Sequence, residues 1–328
     1  MRRGESVCRA PADGQTAAPG FGRRLRGFGQ RLKKDLKKNW ILYLMVIPVV
    51  AYYILFSYVP MAGVQLAFKK YIIKDGIWGS PFIGFKNFIR FFQGYNFWTI
   101  IWNTLSISLY CLVAGTLVPI LFSLLINYVV QKHWKRTLQM VTYLPYFISN
   151  VVLVGMLSIF LGDSGLVNAL LELVGAEAIP FLSSGRLFRS VYTWSGVWQG
   201  LGYSSVVYIA ALSGVDTQIH EAAIVDGASI WLRIWHIDLA ELRPTILVLF
   251  IMSLGGIINV GYEKVLLMQN SLNISTSEVL STYVYKIGLI NSDYGFSTAV
   301  GLFNSLVSMI LLISSNRVAK KLAGYSLW

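Results

Sequence analysis

Between Arg90 and Lys132 the chain reads FFQGYNFWTIIWNTLSISLYCLVAGTLVPILFSLLINYVVQ, a run of 41 residues without Asp, Glu, Lys or Arg. About 20 apolar residues in a helix are enough to cross the hydrocarbon core of a bilayer. Polar side chains thin out the start of this run, and Asn127 marks its end. We therefore predict one long membrane-spanning helix here, at about residues 98–127, rather than two.

Five further stretches of the chain have the same character. They lie between these pairs of charged residues: Lys38 and Lys69, Arg136 and Asp163, Arg189 and Asp216, Arg243 and Glu263, and Asp293 and Arg317. Each is long enough for one crossing, so the sequence predicts an all-α, polytopic membrane protein with six transmembrane helices. The predicted spans are about residues 40–60, 98–127, 138–161, 191–213, 244–262 and 295–315.

The composition of the chain supports the membrane class. Hydrophobic residues make up 55% of it and charged residues 13%, against about 25% charged residues in soluble domains. The net charge of +13 would suit a nucleic-acid partner, but the basic residues lie in the N-terminal tail and between apolar runs, as membrane topology requires. The positions of Cys8 and Cys111 do not suit a disulfide, and the histidines show no metal-ligand spacing. We expect neither a nucleic-acid partner nor a metal site.

The distribution of basic residues sets the orientation. The N-terminal tail, the C-terminus and the loops at 131–137 and 214–244 carry 19 of the 28 Lys and Arg residues. Because basic residues favour the cytoplasmic side, we expect both termini in the cytoplasm. The segments 69–95, 162–189 and 263–293 then face outward.

The N-terminal 37 residues differ from the rest of the chain, because they are rich in Gly, Ala, Pro and Arg and contain little that could form a core. We predict a basic cytoplasmic extension at 1–37, partly disordered. Its last part, from Arg23 onward, could form a basic helix on the anionic leaflet, which makes membrane lipid an expected partner. Residues 38–328 form the predicted transmembrane domain.

The loop at 214–244 has the composition of two short helices. Asp216 or Thr217 suits the N-cap of the first helix, and Gly227 interrupts it. A second apolar stripe follows at helical spacing, and Pro244 precedes the next predicted span. Such an element on the cytoplasmic face is suited to a groove on a partner protein.

The spacing within this loop resembles a known motif. Glu221-Ala222-Ala223, then Gly227, Ile237 and Leu239, is similar to the EAA loop of binding-protein-dependent ABC importer permeases, and Asp226-Gly227-Ala228 resembles the sugar-permease form. Ala240 stands where the family usually has Pro. Further similarity extends over about residues 38–328 and points to the LplB-like branch of carbohydrate permeases. It includes Asn103-Thr104, residues 198–203 and 262–270, and the ending at 325–328.

This resemblance implies the type I ABC importer permease fold in a bacterial inner membrane. It implies a permease subunit for oligosaccharides, including acidic ones derived from pectin or alginate. The implied partners are a second homologous permease, a dimer of ATPase subunits and an extracytoplasmic solute-binding protein. The chain has no G-x-x-x-x-G-K-[ST] sequence, so we expect no enzyme activity and no cofactor on it, with ATP and Mg on the ATPase subunits.

The resemblance also assigns roles within the coupling loop. Glu221 would pair with a basic residue of the ATPase, and Asp226 would help to fix the turn. The small residues of the motif would allow close approach; they are Ala222, Ala223, Gly227 and Ala228.

A sugar path needs polar groups that face inward, and such groups are costly within spans unless they serve packing or transport. Interhelical hydrogen bonding or interface anchoring is an equally good interpretation of each candidate. The candidate path residues are Asn103, Gln199, Tyr203, Asn259, Tyr262, Glu263 and Lys264.

Three other functions fit part of the pattern. A secondary transporter or channel would suit six spans, but it would usually carry charges inside them. A membrane enzyme would be expected to show a motif such as HExxH or GxSxG, which is not in the sequence. A permease for amino acids or metal oxyanions would share the coupling loop, and only the sugar-branch resemblance argues against it.

Overall fold

A computed structural model describes residues 37–323 of the chain, with side chains to Lys321. The expectations for residues 1–36 and the family resemblance at 325–328 lie outside the described residues. Between 37 and 323 the chain is helical, with no strand and a single isolated bridge between Lys69 and Phe82. The all-α fold class is therefore confirmed.

The chain divides into two compact units, with the boundary after Ala62. The described part of the first unit is helix α1, Trp40–Tyr53, which continues through a π-helical turn at Ile54–Tyr58 and a short helix at Val59–Met61. No side chain in α1 is buried. Its mean composition is strongly apolar, so this helix presents a surface that lipid or another apolar surface would cover.

The second unit holds the remaining helices. Its first half contains α2 (Lys86–Phe92), α3 (Phe97–Asn127), α4 (Lys132–Tyr143), α5 (Asn150–Leu161), α6 (Leu166–Leu173) and α7 (Gly185–Leu212). Its second half contains α8 (Thr217–Val225), α9 (Ile230–Arg233), α10 (Leu239–Gly255), α11 (Tyr262–Met268), α12 (Leu280–Tyr285) and α13 (Tyr294–Ala323). Short helical turns join them at Ala62–Phe68, Gly76–Gly79, Leu144–Phe147, Ile234–Asp238, Ile274–Ser277 and Lys286–Ile290.

Four helical segments among the described residues are long and apolar enough to cross a membrane: Trp40–Phe68, Phe97–Asn127, Asn150–Leu173 and Tyr294–Lys321. Helix α7 has 28 residues but includes Arg186 and Arg189 near its start. Helix α10 has 17 residues. The predicted count of six spans is compatible with these helices and stays a prediction.

One predicted span, 138–161, differs from the structure because two helices share it. Helix α4 ends at Tyr143, and the chain then passes through a 3₁₀ turn that contains Pro145. Proline has no N–H to continue a helix. The Ser149 hydroxyl accepts a hydrogen bond from the Val152 N–H at 3.3 Å, which caps the start of α5. The break therefore has two local causes in the sequence.

Helix α3 forms the centre of the second unit, because three apolar clusters lie at successive levels along it. The outer two contain Ile100 and Leu124, and the middle one contains Ile107. At the Leu124 level, Leu212 of α7 and Leu242 of α10 complete the cluster. Helices α3, α7 and α10 are thus held together close to the point where the predicted cytoplasmic loop leaves the bundle.

Candidate coupling element and translocation path

The coupling element begins with a capped helix. The Asp216 carboxylate accepts a hydrogen bond from the Gln218 N–H at 2.9 Å, so Asp216, one of the two residues predicted as N-cap, caps the helix. At the other end of α8, the Gly227 N–H donates to the Ile224 carbonyl and the Ala228 N–H donates to the Ala223 carbonyl. This pair of bonds is the Schellman motif, which needs a left-handed residue. Gly227 supplies it with φ of +77°, as expected from its lack of a Cβ.

The second half of the element is a continuous helical run rather than a separate short helix. The Ser229 hydroxyl caps α9 by accepting from the Leu232 N–H at 3.3 Å. The chain then passes through the π-helical turn Ile234–Asp238 directly into α10. Pro244 lies inside α10 and not before it. The second half of the loop and the predicted fifth span are therefore one continuous helical segment.

Most of the motif residues lie open to a partner. Glu221, Ala222, Asp226 and Gly227 are exposed, and Ala223 and Ala228 are half-buried. Large apolar side chains surround them in an exposed state, namely Ile219, Ile224, Val225, Ile230, Trp231, Leu232 and Trp235. An exposed apolar surface with a carboxylate beside it is typical of a protein–protein interaction site.

Two adjoining cavities lie beside α3 and α7. One, of about 280 Å³, is lined by residues that include Gln199 and Lys264. The other, of about 270 Å³, is lined by residues that include Asn259. Cys111, Gly115 and Tyr192 line both cavities. The structure thus brings three of the seven predicted path residues to one region.

Lys264 is the charged group of this region. It is 6% exposed, its Nζ donates to the Tyr192 carbonyl at 3.0 Å, and it lies 4.8 Å from the centre of the Tyr192 ring. No described carboxylate forms an ion pair with it. Burial lowers the pKa of Lys264 to about 8, because the charged form loses hydration. The protonated ammonium group can donate a hydrogen bond to an anionic group in the cavity.

Asn103 lies elsewhere, within a polar network that joins α3 to the segment at 275–278 and to α7. Its Nδ2 donates to the Ser275 carbonyl at 2.9 Å and to the Glu278 carbonyl at 3.2 Å. Its Oδ1 accepts from Arg189 at 3.1 Å. Asn103 is 2% exposed, and all of these contacts join helices and loops. This is what interhelical hydrogen bonding, the alternative to a sugar contact, predicts.

The remaining three candidates lie outside the lining of these two cavities. Tyr203 is exposed and stacks on Tyr146, with ring centres 4.2 Å apart. Tyr262 stacks on Tyr285 at 5.4 Å. Glu263 is exposed and accepts from the Asn150 amide at 2.6 Å.

Two lining residues were missed in the sequence. Tyr192 lies seven positions before Gln199 on the same helix, and Cys111 lies on α3 across from it, 3.3 Å from the Thr193 hydroxyl. Residues seven apart share a helix face, so Gln199 could have indicated Tyr192. No comparable signal identifies Cys111, whose place depends on how two helices pack.

The chain matches the family model of the binding-protein-dependent transport system inner membrane component over residues 115–324. It is 40% identical over 287 residues to Protein LplB of Bacillus subtilis (strain 168), covering 87% of this chain and 90% of that protein. It is 39% identical over 293 residues to the polygalacturonan/rhamnogalacturonan transport system permease protein YteP of the same organism, covering 89% and 91%.

Solved structures agree with these relatives. The chain is 37% identical, with a TM-score of 0.83, to a chain of a bacterial ABC transporter involved in the import of the acidic polysaccharide alginate, covering 89% of this chain and 99% of that one. A structure of the alginate transporter in complex with a periplasmic protein bound to an alginate pentasaccharide gives a TM-score of 0.84 at 37% identity, covering 90% and 100%. This chain therefore belongs to the family of binding-protein-dependent transport system inner membrane components.

Proposed function

We propose that this chain is the permease subunit of an ATP-driven importer for acidic oligosaccharides, and that it provides part of the translocation path. The single observation that carries the proposal is the coupling element at 214–244. Its first helix, α8, is capped at both ends, and the element exposes Glu221 and an apolar surface. Its second half continues into α10. A partner that pushes on this surface would move a membrane helix with it.

The ATPase is the partner that this surface fits. The chain contains no phosphate-binding loop, and its family consists of membrane components of transport systems that work with binding proteins. In the proposed contact Glu221 pairs with a basic side chain of the ATPase subunit. Ala222, Ala223 and Ala228 leave room for close approach, and Asp226 supports the turn at Gly227. ATP and Mg belong to the ATPase subunits.

The acidic substrate class rests on two observations. The cavities beside α3 and α7 hold one buried lysine, Lys264, with no carboxylate paired to it among the described residues. Two of the similar proteins are named for acidic polysaccharides, polygalacturonan and alginate. A carboxylate-bearing sugar would supply the charge partner that the cavity lacks. Gln199 and Asn259 would offer hydrogen bonds to its hydroxyl groups.

We also propose the assembly that the family resemblance implies. A second, homologous permease completes the path, two ATPase subunits bind the cytoplasmic loops, and an extracytoplasmic binding protein delivers the sugar. Both termini lie in the cytoplasm of a bacterial cell and six spans cross the inner membrane. The basic residue distribution supports this orientation.

Co-purification tests the assembly. The chain, extracted in detergent with the products of its neighbouring genes, should bring down a second permease and an ATPase dimer. A binding protein loaded with an oligouronide should stimulate ATP hydrolysis, and the same protein without sugar should stimulate it less. A chain that purifies alone and moves solute without ATP would contradict the proposal in favour of a secondary transporter.

A further inference from the structure

A buried carboxylate lies where the coupling element meets the bundle. Asp238, the last residue of the π-helical turn Ile234–Asp238, is 0% exposed. The Tyr128 hydroxyl donates to its Oδ2 at 2.6 Å. His220 Nε2 lies 3.2 Å from its Oδ1, which is within ion-pair distance but not aligned as a hydrogen bond. Removing a carboxylate from water is costly unless it is paired, so these two contacts matter to its placement.

The three residues belong to three different elements. Tyr128 follows the last residue of α3, His220 lies on α8 next to Glu221, and Asp238 immediately precedes α10. The Tyr128 ring makes two further contacts beside Asp238. The His220 ring meets the Tyr128 ring edge-on at 6.4 Å, and the Arg233 guanidinium lies 5.6 Å from the centre of the Tyr128 ring.

The tyrosine is held in its donating form. Burial, together with the neighbouring Asp238 carboxylate, raises the pKa of the Tyr128 hydroxyl. A protonated hydroxyl facing a carboxylate makes a charge-assisted hydrogen bond, which is short and stronger than a neutral one. The contact between α3 and the start of α10 is therefore directional as well as close.

Helix α8 has little else to hold it to the described part of the bundle. None of its residues is buried, and only His220 and Ala223 are half-buried. By contrast, α10 is packed against α3 through the apolar cluster of Leu242 and Leu124. Movement of α8 can be passed to α3 and α10 only through contacts between these helices. The contact of His220 with Asp238 is a polar one that joins α8 to the start of α10.

We propose that Tyr128, Asp238 and His220 form a coupling clasp, a set of positioning residues that transmits movement of α8 to the ends of α3 and α10. This deepens the proposed function and rests on it. In this proposal the three residues position α8 and bind neither the ATPase nor the sugar. The clasp acts by keeping the coupling helix in one register relative to the two membrane helices, so that docking of the ATPase moves them together.

The test uses the complete importer in proteoliposomes, with its second permease, ATPase subunits and binding protein. The quantity measured is the amount of sugar imported per ATP hydrolysed. Asp238→Asn removes the charge at constant size, and Tyr128→Phe removes one hydroxyl. Both variants should assemble and hydrolyse ATP, and sugar imported per ATP should fall on the order of tenfold, within the usual range of coupling between sites.

Matched controls lie on the same segment. Glu241→Gln neutralises an exposed carboxylate three residues beyond Asp238, and His236→Gln replaces an exposed histidine on the π-helical turn. Both should import sugar per ATP as the unaltered importer does. A merely structural role would lower the yield of complex and leave this ratio unchanged, because the ratio is independent of how much complex is present.

The double variant Tyr128→Phe/Asp238→Asn shows whether the two residues act through their shared hydrogen bond or independently. If the residues act through their mutual bond, the double variant loses no more coupling than the more impaired single variant. Additive losses, or an unchanged ratio in Tyr128→Phe, would overturn the clasp. Should Asp238→Asn fail to assemble, Tyr128→Phe decides alone. If the unaltered importer moves no sugar with ATP, the proposed function itself fails, and the clasp with it.

Discussion

Glu221 is the motif residue whose charge faces outward on α8, next to the half-buried His220. Its charge is therefore available to a partner without a change in the fold of this chain. Reversing a charge that meets an opposite one replaces attraction with like-charge repulsion, which costs several kcal/mol at an interface. A substitution of Glu221 should therefore act on the proposed contact with the ATPase and not on the fold of this chain.

We predict that Glu221→Lys abolishes ATP-driven uptake, to less than about a tenth of normal, while the chain still reaches the membrane. Uptake by intact cells and the amount of chain in isolated membranes check the two parts. Glu172→Lys, a charge reversal at another exposed position, should have little effect. Normal uptake by the Glu221 variant would show that this carboxylate is not at the contact.

A second residue-scale prediction concerns pH. Because burial lowers the pKa of Lys264 to about 8, its ammonium group loses the proton as pH rises through that value, whereas an ordinary lysine stays charged to about 10. If Lys264 binds a substrate carboxylate, uptake of an oligouronide should fall severalfold between about pH 7 and pH 9. Uptake rates across this range, measured in proteoliposomes, provide the test.

The matched variant for this prediction is Lys264→Arg, since arginine stays protonated over the whole range. Its uptake should show a flatter decline than that of the unaltered importer, whatever its absolute rate. Identical pH profiles for the two proteins would mean that titration of Lys264 plays no part in substrate binding.

At the scale of elements, the sharpest packing constraint is at Gly202 of α7. A Cβ at this position would lie 2.4 Å from the Thr142 carbonyl oxygen and 2.4 Å from the Tyr143 ring, so the backbones of α4 and α7 approach as closely as glycine permits. A methyl group there must push a helix backbone aside. Gly155 of α5, by contrast, has no atom within 4 Å of its would-be Cβ.

We predict that Gly202→Ala destabilises the chain by about 1–3 kcal/mol, the usual cost of overpacking. Gly155→Ala, also in a helix, should be neutral or slightly stabilising because alanine favours helix. Thermal unfolding in detergent, followed by loss of monodisperse protein, compares the two. Equal transition temperatures would contradict the close α4–α7 contact.

Some helix ends could be predicted from the sequence and others could not. The N-cap at Asp216 and the turn at Gly227 were predictable, because both depend on residues within four positions of each other. The continuation of α9 into α10 was not, since Pro244 reads as a boundary and yet lies within α10. The break at Pro145 was not predictable, because proline is tolerated within membrane helices.

The residues that line the candidate path were harder to predict, because their positions depend on how several helices pack. Whether a polar side chain faces a cavity depends on the rotation of its helix within the bundle, which periodicity cannot supply. Gln199 and Lys264 line a common cavity. Asn103, equally polar, instead holds the carbonyls of Ser275 and Glu278.

For the whole molecule, the orientation in the membrane remains a prediction that labelling can test. We expect Lys74→Cys, in an outer segment, to react with an impermeant maleimide on intact spheroplasts, and Gln131→Cys to react only after lysis. Both positions are exposed, and the test uses a background in which Cys8 and Cys111 are replaced. The reverse pattern of labelling would contradict cytoplasmic termini.

Transport by the assembled importer tests most directly whether this chain is the permease of an ATP-driven importer for acidic oligosaccharides. Proteoliposomes that contain this chain, its second permease and the ATPase subunits would be supplied outside with a binding protein and a labelled oligouronide. We expect accumulation only with ATP on the ATPase side and binding protein on the other, and much weaker uptake of a neutral oligosaccharide of equal length. Accumulation that persists without ATP, or that needs no binding protein, would contradict it.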